Sequence, residues 1–317
     1  MIIINLLLFL VFLFILIKCA GYAIRYSSIL AKILRFPEFI VSFFIVALIS
    51  VIPEATIAII AAFNGQPELG LGTLLGAKVA DLTLVLGIVA LFSLKSVKVK
   101  SKILKNNIFF LILLLCPIIL GINGIFSRWE GIILILLGIS FFVKIYKDNN
   151  ISRKKFKKVE TEPFAKSLFL LILSLGFILL SAFLTIKFAV NFANDAKLPA
   201  VLVGLTIIAL GTCLPELIFS IKAVKKDHDN LALGDIIGTV VADATIILGL
   251  VAIISPFNFN PYNIYITGTA MFLAGLIVTI FMRSEKSINK KEGILLILFY
   301  IIFILTEFLV NNIIGFR

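Results

Sequence analysis

The sequence predicts an all-α polytopic membrane protein with ten transmembrane helices, arranged as two inverted-topology repeats of five helices each. Of its 317 residues, 61% are hydrophobic and only 15% are charged. A soluble domain has roughly 45–50% apolar and 25% charged residues, so this composition excludes a soluble fold. Apolar runs of about 18 or more residues, each long enough to cross a bilayer, recur along the whole chain. The third observation is an internal repeat, described below.

Ten apolar segments are predicted to cross the membrane. The first, Met1–Ile17, has no basic residues before it and no small-residue cleavage signal, so we interpret it as a helix and not as a signal peptide. The ten predicted spans are Met1–Ile17, Phe39–Phe63, Leu69–Leu94, Ile108–Phe126, Trp129–Tyr146, Phe164–Val190, Pro199–Ala223, Leu231–Ile254, Tyr262–Met282 and Gly293–Ile314.

The basic residues predict the orientation in the membrane. The chain has 29 Lys and Arg against 17 Asp and Glu, and most of the basic residues fall in the loops after the odd-numbered helices. Short cytoplasmic loops carry such an excess, which places both termini outside the plasma membrane. The implied partner is the lipid bilayer and not nucleic acid, and the sequence identifies no protein partner.

Three segments are predicted along the chain. Residues 1–147 form a first five-helix repeat, 148–163 a basic linker in the cytoplasm, and 164–317 a second five-helix repeat. The linker is interpreted as a solvated hinge, with binding of lipid head groups or of a regulator as the alternative.

A gapless internal repeat supports the two halves. Residues 47–87, the first copy, match residues 209–249, the second copy, at a constant offset of 162. The match pairs Pro53-Glu54 with Pro215-Glu216, and Asp81 with Asp243. Because each half would hold an odd number of helices, the second copy must enter the membrane from the opposite side, as in many secondary transporters.

The repeated Pro-Glu pair predicts an ion site. Proline inside a helix removes a backbone donor and frees carbonyl groups, here those of Ile49 and Gly211. A simple proline kink is the alternative interpretation. It does not explain the carboxylates of Glu54 and Glu216, because a charge at membrane depth costs at least about 2.5–3.5 kcal/mol.

Two further acids follow at equal spacing. Asp81 and Asp243 come 27 residues after Glu54 and Glu216, which suits a helix, a short turn and a returning helix. Two such hairpins would bring four carboxylates together near the membrane midplane. Carboxylates and carbonyls suit Ca²⁺ better than a soft metal. The other predicted oxygen donors are the hydroxyls of Ser50, Thr212 and Thr239.

Lys78 is the one basic residue that lies far from both ends of a predicted span. It precedes Asp81 by three residues and therefore shares its helix face, so we predict a tethered counter-ion; a lysine that snorkels to the interface is the alternative. The cysteines Cys19, Cys116 and Cys213 have no ligand spacing and indicate neither a disulfide framework nor a zinc site. We expect no cofactor beyond the transported ions.

The segments ALISVIPEAT and ALGTCLPELI, with GLGTLLGAKVAD and ALGDIIGTVVAD, resemble the calcium/cation antiporter superfamily, most closely its prokaryotic sodium/calcium exchangers. The resemblance covers the whole chain. It implies an antiporter that extrudes Ca²⁺, with Glu54 and Glu216 as the main Ca²⁺ ligands and Asp81 and Asp243 completing the cluster. In the same resemblance Ser50 and Thr212 contribute oxygens to flanking monovalent sites.

The chain also departs from the family pattern. Ile49-Ser50-Val51 stands where the family has Gly-Thr-Ser, Gly72-Thr73 and Gly234-Asp235 stand for Gly-Asn, and Gly76-Ala77 for Gly-Ser. These differences affect the predicted Na⁺ sites more than the Ca²⁺ site.

Three functional hypotheses therefore stay open. Exchange of Ca²⁺ for Na⁺ leads. Exchange of Ca²⁺ or another cation for H⁺ is the alternative, because clustered carboxylates cannot all ionise. A membrane sensor or structural protein without transport is the third. No nucleophile and base pairing or cofactor signature indicates an enzyme.

Overall fold

The computed structural model describes residues 2–33, 47–93, 96–98, 108–148, 163–196, 203–225, 229–284 and 287–314. Most of the predicted linker 148–163, the start of the predicted span Phe39–Phe63 and the start of Pro199–Ala223 lie outside these residues. Fourteen α-helical segments lie within the described parts of the chain. They are α1 (Ile2–Ile33), α2 (Ala47–Ser50), α3 (Ile52–Phe63), α4 (Pro67–Ala80), α5 (Leu86–Phe92), α6 (Ile108–Leu120), α7 (Arg128–Asp148), α8 (Phe164–Ala196), α9 (Ala209–Thr212), α10 (Leu214–Val224), α11 (Asp229–Val241), α12 (Leu248–Ile254), α13 (Pro261–Ser284) and α14 (Lys290–Ile314).

The α-helical segments are joined in places by wider helical turns and by short strands. Within the described ranges, three π-helical segments cover Asp81–Val85, Gly204–Ile208 and Ala242–Ile247. Four strands in the same ranges cover Val97–Lys98 (β1), Ile125–Phe126 (β2), Phe257–Asn258 (β3) and Ser287–Ile288 (β4).

Six of the described helices are long and apolar enough to cross a bilayer, and a seventh span results if one bent helix pair is counted as one. The protein is thus a multi-pass helical membrane protein. The predicted count of ten is larger, in part because α3 and α6 are apolar but shorter than a full span.

The two longest helices, α1 and α8, pack against each other in antiparallel fashion. Near the start of α1 the Asn5 amide donates to the Asp195 carboxylate at 2.8 Å, near the end of α8. Phe12 stacks on Phe188 with ring centroids 5.6 Å apart. At 1.5 Å per residue, α1 spans about 48 Å, which exceeds a hydrocarbon thickness of about 30 Å, so the helix must tilt or extend beyond the membrane.

The length of α1 corrects the predicted first span. The prediction ends that span at Ile17 and places Lys18 and Arg25 in a loop, whereas the structure continues the helix to Ile33. No proline interrupts this stretch. Lysine can remain helical while its amine reaches polar surroundings. The Lys18 amine lies over the ring of Phe14, 5.2 Å from its centre.

The Pro-Glu helices are broken, not merely kinked. In the first copy α2 ends at Ser50 and α3 begins at Ile52; in the second the chain bends by 44° between Gly204–Thr212 and Glu216–Val224. Each proline lies in the first turn of the second segment and not in a helix interior as predicted. Proline is well tolerated there, since the first turn of a helix needs no backbone donor.

The centre of the protein holds the two chain stretches 67–92 and 229–254. They are mostly buried inside the protein, whereas only a minority of the residues in the spans of α1 and α8 are buried. Helix α4 contacts the later part of the other stretch, and the π-segment Asp81–Val85 contacts its earlier part, α11. The two central stretches therefore cross in opposite directions.

Contacts between the two halves of the chain repeat with the offset of the sequence match. Gly87 lies against Gly293, and Gly249 lies against Gly131, at positions separated by 162 residues. Strand β1 pairs with β4, and β2 pairs with β3, each pair joining the two halves of the chain.

The starts of α7 and α14 carry the same cap. The Glu130 carboxylate accepts the Ser127 backbone N–H at 2.6 Å, and the Glu292 carboxylate accepts the Asn289 N–H at 2.8 Å. This is the reciprocal capping box of a helix start, again at an offset of 162. The similarity between the halves extends beyond the matched sequence.

Candidate ion-binding site

Glu54 and Glu216 lie in the first turns of α3 and α10, directly after the helix breaks. Their side chains are buried, with 0% and 1% of their surface exposed. Neither oxygen of either carboxylate has a hydrogen-bond partner among the described residues. A buried carboxylate without a partner is costly, so these two groups require a cation or a proton to compensate them.

Lys78 lies between the two aspartates of the repeat. Its amine is 2.5 Å from an oxygen of Asp81 and 2.8 Å from an oxygen of Asp243, and all three side chains are 0% exposed. The lysine is therefore bound to one carboxylate from each copy. The structure favours the interpretation as a counter-ion over the one in which the lysine snorkels to the interface.

Both aspartates lie where the central stretches widen into π-helix. Asp81 opens the segment Asp81–Val85, and Asp243 is the second residue of Ala242–Ile247. Such widened turns are frequent at functional sites because they redirect a side chain. The second oxygen of each aspartate, Oδ1, has no hydrogen-bond partner within the described residues.

The predicted hydroxyl ligands divide into two kinds. The Ser50 hydroxyl donates to a carboxylate oxygen of Asp235 at 3.1 Å, which joins the two copies. Thr212 and Thr239 donate to carbonyls of their own helices, those of Ala209 at 3.1 Å and Ile236 at 2.9 Å. A hydroxyl that donates its proton in this way keeps its lone pairs for a cation.

Asp235 is a buried acid that the prediction did not include in the site. It is 0% exposed, and its oxygen Oδ2 has no hydrogen-bond partner among the described residues. The signal was present in the sequence, since Asp235 takes the place of the family's asparagine and is matched by Thr73 in the first copy.

Three more buried polar side chains lie outside the predicted ligand set, and of these the sequence singled out only Cys213, as a weak polar group lining the site or a packing residue. The Cys213 thiol donates to the carbonyl of Ala77 at 3.4 Å, across the interface between the copies. The Tyr300 hydroxyl is buried and lies within electrostatic range of Cys213 and Asp81. Glu307, farther along α14, is fully buried and accepts a hydrogen bond from Thr267 at 2.5 Å.

The acids form one electrostatic cluster. Glu54 interacts with Lys78, Asp243 and Asp81, and Glu216 interacts with Glu54, Asp81 and Asp235. Over the part of the chain that the structure describes, no three His, Cys, Asp or Glu side chains are arranged closely enough to hold a metal ion. The structure brings Asp81 and Asp243 together on the Lys78 amine, and Glu54 and Glu216 interact electrostatically with members of this group.

Comparison with known proteins identifies the family. The sequence profile described as sodium/calcium exchanger protein matches residues 4–146 and 166–309, which is most of the chain. The chain belongs to this sodium/calcium exchanger family. The resemblance drawn from the Pro-Glu and Asp motifs is confirmed, and membership identifies a membrane transport protein.

Individual relatives and structures agree with this assignment. The sodium/calcium exchanger MaX1 of Methanosarcina acetivorans is 26% identical, over 97% of this chain and 99% of that protein. The putative antiporter CaxA of Alkalimonas amylolytica is 30% identical, over 87% of this chain and 89% of its own. The structure of the sodium-calcium exchanger NCX_Mj soaked with Na⁺ and Ca²⁺ superposes with a TM-score of 0.69 at 25% identity, covering 95% of this chain and 98% of the other.

Proposed function

We propose that the protein is a secondary active antiporter that moves Ca²⁺ across the membrane in exchange for Na⁺. The observation that carries the proposal is the pair of buried carboxylates, Glu54 and Glu216, whose four oxygens lack hydrogen-bond partners among the described residues. Two carboxylates, one on each broken helix, suit a doubly charged ion that prefers oxygen ligands. The names of the relatives, sodium/calcium exchangers and a putative antiporter, support this choice.

In this proposal Glu54 and Glu216 bind Ca²⁺, and Asp81 and Asp243 complete the charge of the cluster. Ser50, Thr212 and Thr239 contribute hydroxyl oxygens. Side chains alone do not close a Ca²⁺ site of six to eight oxygens, so backbone carbonyls at the helix breaks and water complete it. Ion binding would then draw the two broken helices together.

The architecture proposed for transport has ten membrane crossings. Residues 1–147 and 164–317 form two inverted five-helix repeats, joined by the cytoplasmic linker 148–163, with both termini outside the plasma membrane. The equivalent glycine pairs, strand pairs and helix caps of the two halves support it. Labelling an introduced cysteine at Lys155 tests the orientation: modification by an impermeant external reagent in intact cells would contradict it.

An altered counter-ion is the second candidate. Lys78 occupies the space between Asp81 and Asp243, and Asp235 replaces a neutral residue of the family pattern, so the charges near the monovalent sites differ. These observations favour exchange of Ca²⁺, or another divalent cation, for H⁺.

Flux measurements separate the hypotheses. Purified protein is reconstituted in liposomes loaded in turn with Na⁺, K⁺ or an acidic buffer, and uptake of radioactive Ca²⁺ is followed. Uptake driven by the outward Na⁺ gradient supports Ca²⁺ exchange for Na⁺, and uptake driven only by the acidic interior supports exchange for H⁺. Protein-free liposomes are the control. Uptake equal to this control under all gradients would overturn the proposal and favour a sensor or structural protein.

A further inference from the structure

The position of Lys78 suggests how many ions the protein carries. We propose that the Lys78 ammonium is a built-in monovalent cation, which permanently takes the place of one exchangeable ion between Asp81 and Asp243. The inference rests on the proposed antiport function and adds to it the number of monovalent ions that are coupled to each Ca²⁺. A cation that belongs to the chain neutralises charge but never leaves, so each cycle carries one fewer monovalent ion than the same carboxylates would without the lysine.

The geometry supports a site role over a packing role. The amine contacts one oxygen of Asp81 at 2.5 Å and one of Asp243 at 2.8 Å, and it has no exposed surface. These two acids come from different copies, so the lysine binds where the central stretches cross. An amine held at both sides cannot reach the membrane interface by snorkelling.

The lysine has no counterpart in the other half. The residue at the matched position of the second copy is Val240, which is buried and apolar. The positive charge between the two aspartates therefore comes from the first copy alone.

The charges around the amine explain why a cation is needed there. Besides its two aspartates, Lys78 interacts with Glu54, and both Glu216 and Asp235 lie within electrostatic range of it. Five buried carboxylates share this region, and an uncompensated carboxylate in a low-dielectric interior costs several kcal/mol. If Lys78 is removed, one additional cation from solution has to take its place.

The test variant removes the charge of Lys78 and keeps the volume of its side chain. Lys78→Met retains an unbranched chain of similar length without the ammonium. Lys187→Met, on the exposed face of α8, is the matched control for the loss of one positive charge. Uptake of Ca²⁺ into proteoliposomes is measured against Na⁺, K⁺ and choline, together with the charge moved per Ca²⁺.

The expected result is a new dependence on monovalent ions. In Lys78→Met, replacing both Na⁺ and K⁺ on the Ca²⁺ side by choline should reduce the flux about tenfold more than in the unmodified protein, as for a typical coupling between two bound ligands. The charge moved per Ca²⁺ should change by one. Lys187→Met should behave like the unmodified protein. Active Lys78→Met with unchanged ion dependence and charge movement would overturn the inference.

The inference can also be tested if Lys78→Met is inactive in transport. Thermal stability of the purified protein reports ion binding without transport, because a ligand that binds the folded state raises the melting temperature. Na⁺ or K⁺ should stabilise Lys78→Met more than the unmodified protein, and equal stabilisation contradicts the inference. If Lys78→Met does not fold, the double variant Lys78→Met with Asp81→Asn should fold, because it removes one positive and one negative charge together. Failure of both variants to fold would indicate a packing role for Lys78 and contradict the inference.

The outcomes separate this inference from the proposed function. Absence of Ca²⁺ flux in the unmodified protein refutes the antiporter, while the stability measurement still reports whether Lys78 replaces a bound cation. Normal Ca²⁺ exchange with unchanged coupling in Lys78→Met refutes the inference alone.

Discussion

The first and second copies, residues 47–87 and 209–249, have the same backbone devices but different polar side chains. Each has a helix break followed by Pro-Glu, and each has a π-segment at its aspartate. The charged residues differ: the first copy holds Lys78 where the second has Val240, and the second holds Asp235 where the first has Thr73. The backbone is thus repeated more faithfully than the charge.

This difference separates the features required for folding from the features required for ion binding. Helix breaks, close glycine contacts and caps are properties of the backbone, and they recur in both halves. An ion site on a pseudo-twofold axis need not be symmetric, because one lysine between Asp81 and Asp243 can serve both copies. The comparison predicts equal effects for substitutions of shared residues and unequal effects for substitutions of unshared partners.

The largest and most symmetric effect is expected at the shared glutamates. Glu54→Gln and Glu216→Gln should each reduce Ca²⁺ flux by at least about a hundredfold, since the amide keeps the size of the side chain but not the charge that replaces the hydration shell of the ion. Uptake into proteoliposomes measures the effect, and size-exclusion profiles show that the variants are folded.

Glu68→Gln is the control for the glutamates. Glu68 lies in the first turn of α4 and is exposed, so its substitution should leave the flux unchanged. Near-normal flux in either Glu54→Gln or Glu216→Gln would remove the claim that the two copies share one Ca²⁺ site.

A second, structural test of the symmetry concerns the glycine contacts. A Cβ at Gly87 would lie 2.6 Å from the carbonyl oxygen of Gly293, and one at Gly249 would lie 2.5 Å from that of Gly131. Gly87→Ala and Gly249→Ala should each cost about 1–3 kcal/mol through overpacking and lower the melting temperature to a similar extent.

The matched control for these glycines is Gly21→Ala in α1. An added Cβ there has no heavy atom within 4 Å, so the substitution should be neutral or slightly stabilising. A melting temperature that falls in Gly87→Ala but not in Gly249→Ala would show that the two helix crossings are not equivalent.

The sequence predicts the family, the repeat and the candidate acids because these depend on residue type and spacing. The extent of α1 was not predictable from hydropathy, since charged residues such as Lys18 mark a change of surroundings but do not interrupt helical hydrogen bonds. The bond between Ser50 and Asp235 joins residues 185 positions apart. Such a pairing depends on how the two copies cross. The residue spacing within one copy carries no information about that crossing.

The smallest expected effect distinguishes the two matched hydroxyls. Ser50 donates to the buried Asp235 carboxylate, whereas its counterpart Thr212 donates to the carbonyl of Ala209 in its own helix. A hydrogen bond to a charged group contributes about 1.5–3 kcal/mol, more than one to a neutral carbonyl. Ser50→Ala should therefore weaken the monovalent-ion dependence of transport several-fold, and Thr212→Ala should change it by about twofold or less.

Ser50→Thr, which keeps a hydroxyl, should restore most of the loss. Equal effects of Ser50→Ala and Thr212→Ala would mean that the two hydroxyls act only as equivalent oxygen donors to the ions. The contact of Ser50 with Asp235 would then not matter, because only Ser50 has this charged partner.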